Sequence, residues 1–277
     1  MLTSLHITTR AFCSRFQTSS HRSPSPPPLS TLRFHTAYRE KLSYLTSLGI
    51  VNSNPRNPNV PSHKCLDQIL DIINYLKSKG FSESDITKLA SVYPKLFSSS
   101  LEPSDIEPVF TFLARDVAAT GTESRGLILC CPDLLFSNVE YCLRPTLTFL
   151  KAIGLEKLNS PTNLNARLLN TRISKIETKI EFLKSIGFTR EESLKACARL
   201  PAIFGYSIDN NLQPKVGYLI GGMQRSIDEL KEFPQYFAFS LTRRIVPRYM
   251  HLRQRGIHIT LKRMLMSCDQ KFYAKWK

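Results

Sequence analysis

Seven basic side chains, Arg243, Arg244, Arg248, Arg253, Arg255, Lys262 and Arg263, fall within 21 residues with no acid among them. The chemistry open to such a block is the capture of phosphate. The planar fork of arginine meets two phosphate oxygens at once, which an ammonium cannot do. Arg244 and Arg248 stand four apart and Arg255 seven beyond Arg248, so on a helix the three share one face. Lys184, Lys195, Arg199 and Lys215 precede the block and extend the expected track. If about six phosphates of a duplex are neutralised, log K falls with log salt at a slope of about −5. Tyr249 and Phe272 flank the block, and rings there either stack on the bases of a single strand or pack between helices.

Other chemistry has no foothold in the sequence. The chain contains no GxxxxGK[ST] loop, no GxGxxG, no GxSxG and no HExxH. His63 and Cys65 lie two apart, but no second pair completes a zinc site. Seven cysteines, an odd number without a CxxC pair, argue against a secreted disulfide framework and for a reducing interior. Cys130 and Cys131 are adjacent and read as small core residues. Glu191 and Glu192 sit in a helix first turn, where they favour the macrodipole. The expectation is a non-enzymatic protein without cofactor, metal or small-molecule substrate, acting as a monomer.

The elements that must position these side chains follow from length, charge and repetition. A chain of 277 residues that is 42% hydrophobic is long enough for one large or two ordinary domains. Its formal charge of +16 favours a polyanionic partner and disfavours an acidic tail or a cation-binding protein. No apolar run approaches the roughly 18–20 residues of a membrane span. Residues 1–39 carry five Arg and no acid, residues 40–160 carry 12 bases and 13 acids, and residues 161–277 carry 21 bases and 9 acids. The first basic stretch is rich in Ser and Pro and has no apolar h-region, the composition of an organelle transit peptide over residues 1–36. Its Pro-Ser richness favours plastid over mitochondrion. Residues 37–64 read as a linker and N-terminal cap.

Residues 65–277 repeat themselves. One anchor is an apolar pair two residues after a proline, at Pro94, Pro132, Pro201 and Pro234. The other is a proline five residues before a leucine: Pro108 and Leu113, Pro145 and Leu150, Pro214 and Leu219, Pro247 and Leu252. A middle unit keeps the phase without prolines, with Leu168 and Leu169 at the first anchor and Leu183 at the second. The first anchor recurs every 33–38 residues. Each unit reads as helices. Capping boxes are expected at Ser82 with Asp85, Thr189 with Glu192 and Ser226 with Glu229. The first proline ends one helix and the second starts a longer one, which closes near Gly154, Gly187 or Gly256. Units of about 34 residues cannot bury their apolar faces alone, so they stack. The expected fold is all-α, a superhelical α-solenoid of right or left hand with about five to six helical repeats.

Three stretches of the sequence carry a family resemblance. They are Phe182-Leu183-Lys184-Ser185-Ile186-Gly187-Phe188, Leu200-Pro201-Ala202-Ile203-Phe204 and Leu212-Gln213-Pro214-Lys215-Val216-Gly217-Tyr218-Leu219. Tyr75 through Phe81, Tyr93 through Phe97 and Phe233 through Phe237 follow the same phrases. Over about residues 65–270 the chain resembles the mitochondrial transcription termination factor (mTERF) family. The resemblance implies a helical superhelix that binds organellar nucleic acid without catalysis. Basic side chains on its inner face would hold duplex DNA, and in several plant members the target is plastid or mitochondrial RNA. The third unit departs from the pattern by lacking both prolines, and the second by having Ala119-Thr120-Gly121-Thr122 in place of the Gly-Phe entry.

The resulting expectation is an organellar regulator of gene expression, in plastid stroma or nucleoid or alternatively in the mitochondrial matrix. It works by transcription termination or by rRNA and transcript maturation, on duplex DNA, structured RNA or both. The alternative is a protein-interaction scaffold whose basic end docks an acidic partner protein.

Overall fold

The computed structural model describes residues 38–51 and 61–277, and all regular structure among them is helical. The expected leader at 1–36 lies outside the described residues, as does the part of the expected linker at 52–60. Two helices, α1 (Tyr38–Ser47) and α2 (His63–Ser78), come first and are tied by Lys41 to Asp67 at 2.5 Å. Five units follow: α3 (Glu83–Val92) with α4 (Pro103–Arg115), α5 (Gly121–Cys130) with α6 (139–152), α7 (Asn163–Leu169) with α8 (Ile173–Ser185), α9 (Arg190–Arg199) with α10 (208–222), and α11 (Asp228–Glu232) with α12 (241–254). A shorter last unit holds α13 (Leu261–Leu265) and α14 (Asp269–Lys275). Neighbouring units stack like on like, with α5 on α7, α9 on α11 and α6 on α8. The result is the expected helical-repeat solenoid.

Both sequence anchors are core. The second-anchor leucines Leu113, Leu150, Leu183, Leu219 and Leu252 are no more than 2% exposed, and Leu96, Leu134, Leu169, Ile203 and Phe237 of the first anchor are equally buried or within 5%. The proline of the first anchor opens a short 3-10 turn in units one, two, four and five. The residue before it (Tyr93, Cys131, Leu200 or Phe233) is held out of the α region, with φ between −148° and −132°.

The second proline behaves differently from expectation. It starts its helix in no unit. In unit one Pro108 lies inside α4, which begins at Pro103 and stays α-helical. In units two, four and five the helix begins six residues before the proline, and the intervening stretch is wound in wide π turns over Val139–Leu143, Ile208–Leu212 and Leu241–Ile245. A proline inside a helix offers no N–H and crowds the preceding turn, and a widened turn relieves that conflict. Unit three has Thr178 instead, and α8 runs as unbroken α-helix.

Two polar devices join the units. In the first, the capping-box carboxylate of one unit binds a side chain of the next: Asp85 meets Arg125 at 3.2 Å, Glu123 meets Asn159 at 3.1 Å and Glu192 meets Lys231 at 3.3 Å. The box at Thr120 with Glu123 closes the unit whose entry motif departs from the pattern. The box expected at Ser226 with Glu229 does not form, because Glu229 is drawn to Arg225 at 2.7 Å and α11 starts only at Asp228. In the second device, the residue after the second-anchor proline reaches backbone carbonyls of the next unit: Thr146 to Thr171, Lys215 to Phe237, and Arg248 to Met264 and Ser267. Gly126 is fixed by close approach, since a Cβ there would meet the Pro161 ring at 2.5 Å. Gly154, Gly187 and Gly256 close their helices at φ of 91°, 107° and 65°, in the left-handed region that glycine enters without penalty.

Candidate nucleic-acid interface

The eleven cations expected to hold phosphate separate into three groups once they are placed on this frame. Two are not available to any ligand. Arg248 is 0% exposed; its guanidinium donates to the Met264 and Ser267 carbonyls, each at 2.7 Å, and to Asp269 at 2.6 Å, and lies 4.5 Å from the Phe272 ring centre. It therefore does not share a solvent face with Arg244 and Arg255. Lys215 is 5% exposed and donates to Asn211 and to the Phe237 carbonyl, each at 2.7 Å. Burial disfavours its ammonium and lowers its pKa. Both are ties between units, because position +1 after the second-anchor proline points into the next unit.

Four more are exposed but already engaged. Lys184 pairs with Glu181 at 2.8 Å and Lys195 with Glu191 at 2.6 Å. Arg199 caps the end of α11 through the carbonyls of Lys231 and Glu232, and Arg255 donates to His251 O at 3.2 Å. Arg244 is intermediate in character: it stands over the Phe239 ring at 5.3 Å and 4.0 Å from Asp269.

Arg243, Arg253, Lys262 and Arg263 remain exposed with no side-chain partner. They fall at the two ends of α12. Arg243 sits in its first turn, capped by Ser240, whose hydroxyl accepts the Arg243 N–H at 3.2 Å. Arg253, Lys262 and Arg263 gather at the far end, around a cleft of about 1050 Å³ between α12 and α13 that His258 and Arg225 also line. At about 1.5 Å per residue, the two ends of this helix are some 20 Å apart. Three acids lie near the block. Glu229 and Glu232 line the same cleft, Glu229 held by Arg225 at 2.7 Å, and Asp269 is kept ionised by its hydrogen bond to Arg248, which lowers its pKa.

The two rings near the block are structural. Phe272 is 1% exposed beneath Arg248, and Tyr249 packs edge-on against Tyr218 with its hydroxyl toward Met223 O. Sequence reasoning missed the exposed aromatic surface in unit two, where Tyr141 is 87% and Phe136 is 44% exposed. It also missed the free cations Arg172 and Lys175 of unit three. The signal that locates Tyr141 and Lys175 is their common place, three residues after the cap of the longer helix.

The mTERF family model matches residues 42–160 and 125–273, in two overlapping stretches that take in nearly all of the repeat region. The chain belongs to the mTERF family. Among similar proteins of Arabidopsis thaliana, transcription termination factor MTERF8, chloroplastic, is 27% identical over 205 residues, 72% of this chain and 40% of that protein. Transcription termination factor MTERF2, chloroplastic, is 33% identical over 99 residues, 36% of this chain and 15% of that protein. Transcription termination factor MTERF15, mitochondrial, is 24% identical over 249 residues, 75% of this chain and 55% of that protein. The chain thus spans less than two thirds of the length of these relatives. The mTERF family is one of non-enzymatic proteins, and no helix among the described residues is long and apolar enough to cross a membrane.

Proposed function

We propose that this mTERF protein binds nucleic acid in an organelle and regulates gene expression there, through electrostatic capture of the sugar-phosphate backbone. The observation that carries this reading is the exposed set Arg243, Arg253, Lys262 and Arg263, which make no ion pair among the described residues, although Glu229 and Glu232 line the cleft beside three of them. Free cations fixed on a rigid helical frame are the footprint of a phosphate-binding surface. The relatives are termed chloroplastic or mitochondrial transcription termination factors, and the Arg- and Ser-rich composition of residues 1–36 agrees with import into such a compartment. Plastid is the favoured organelle. Termination of transcription and maturation of transcripts use the same backbone capture.

The test is an electrophoretic shift of the protein with duplex DNA and with structured RNA across a salt series. About four phosphate contacts on a duplex give a slope of log K against log salt near −3.6. No shift at low salt, together with capture of a defined acidic protein, would replace this reading by the scaffold one.

A further inference from the structure

The longer helices of successive units all present their third residue to solvent at one edge of the stack. Counted from the cap, this position holds Tyr141, Lys175, Asn210 and Arg243 in units two to five. All four are exposed, and none has a partner for its side chain. Their backbones are fixed. Asn138, Ser207 and Ser240 accept the N–H of Tyr141, Asn210 and Arg243 at 2.8, 3.2 and 3.2 Å. The first turn of α8 has no side-chain cap, and there the Lys175 N–H donates to the Arg172 carbonyl at 3.0 Å. All four hold the same position in their helices, so they project as a row with one residue per unit. Neighbouring packed helices lie roughly 8–10 Å apart, and the row therefore covers about 30 Å.

The residue types fit one class of ligand. Tyr141 is an aromatic ring left 87% in water, beside Phe136, whose ring meets Tyr93 at 5.3 Å. These rings line a groove of about 770 Å³ with the unpartnered guanidinium of Arg172. An aromatic ring with a cation beside it suits a nucleobase and its phosphate. A duplex keeps its base faces stacked inside, so only an unpaired nucleotide offers a face to Tyr141. Lys175 and Arg243 supply point contacts for phosphates further along, and Asn210 supplies an amide for a base edge. The acids at this edge do not close it. Glu140 is bound to Arg144 at 2.6 Å, Asp209 interacts electrostatically with Lys179, and Asp133, which also lines the groove, is hydrogen-bonded to Tyr93. In unit one the same position is Asp105, which ends the row.

We infer that Tyr141, Lys175, Asn210 and Arg243 form a reading edge for an unpaired strand, with one nucleobase stacked on Tyr141 and Phe136. The inference rests on the nucleic-acid reading above and adds to it the single-stranded state of the ligand. The full chain is titrated by fluorescence anisotropy with labelled mixed-sequence single-stranded RNA, the matching single-stranded DNA, and a duplex of equal length. Tyr141→Ala is expected to weaken single-strand binding about tenfold or more, with Tyr141→Phe restoring it and duplex affinity unchanged. Lys175→Ala is expected to reduce the single-strand salt slope by about 0.7. The RNA and DNA arms tell which strand is preferred. Single-strand affinity that Tyr141→Ala leaves intact, in a variant of unchanged circular dichroism, overturns the reading edge. Steep duplex binding in the same experiment would leave the proposed function standing, whereas loss of all binding by the unaltered protein would remove both.

Discussion

Arg248 and Asp269 form the joint that holds the last, shortened unit to the stack. The guanidinium reaches the Asp269 carboxylate at 2.6 Å while two of its nitrogens satisfy carbonyls on either side of the turn after α13. Arg248→Ala therefore strands two acceptors and opens a cavity over Phe272. The expected loss is about 2–4 kcal/mol of stability in urea unfolding, and Arg248→Lys recovers only part because an ammonium cannot span both carbonyls.

The same joint sets an acid limit. The Asp269 carboxyl titrates below its ordinary range because Arg248 donates to its ionised form. A carboxyl whose folded pKa is depressed adds stability above its unfolded pKa and loses it as pH falls through the folded value. Thermal midpoints of the wild-type protein are expected to fall more steeply below about pH 4 than those of Asp269→Asn. Parallel curves for the two proteins would show that the pair contributes nothing.

Lys215 is the corresponding tie one unit earlier, and here burial works against the charge. Its folded pKa lies below the ordinary lysine value, so this group makes stability rise as pH climbs between the folded and unfolded values. Lys215→Met keeps the packing and removes the desolvated ammonium. It is expected to cost about 1–2 kcal/mol through the orphaned Phe237 carbonyl and to flatten the rise of stability with pH just below the ordinary lysine value of about 10.4. Lys215→Ala is expected to cost about 2–3 kcal/mol, through the void and the orphaned Phe237 carbonyl.

The architecture was legible in the sequence because burial imposes its own period. Each unit must place an apolar pair under the turn and a leucine in the long helix, and these positions kept their phase even in unit three, where the prolines are absent. The site was legible only as a region. A cation's role depends on which way its helix face points, and the four-residue spacing of Arg244 and Arg248 says nothing about which of the two turns inward. The repeat decides it: the residue after the second-anchor proline is buried in every unit that has the proline, as Val109, Thr146, Lys215 and Arg248. Tyr141 was illegible for the converse reason: an aromatic in a repeat reads as core, and only its position in a capped first turn puts it in water.

The caps offer a direct check on local structure. Thr189 and Glu192 form a full box, with bonds of 3.2 and 2.8 Å, whereas Ser226 touches only Asp228. Thr189→Ala is expected to cost about 1 kcal/mol. Ser226→Ala is expected to cost less than half of that. Equal losses in chemical denaturation would mean that the second box forms in solution.

The division of the cations into engaged and free makes the sharpest forecast about binding. Arg243, Arg253, Lys262 and Arg263 have no internal bond to lose, so replacing all four by Ala is expected to leave thermal stability nearly unchanged. On duplex DNA each phosphate contact removed lowers the salt slope by about 0.9, and the quadruple variant is expected to show almost no residual slope. Lys184→Ala with Lys195→Ala serves as the control. Those two lysines already neutralise Glu181 and Glu191, and removing them frees two carboxylates rather than two phosphates. A modest loss of affinity with the slope intact is expected for the control. If the two variants instead behave alike, net charge governs binding and the placement of the free cations on α12 and α13 does not.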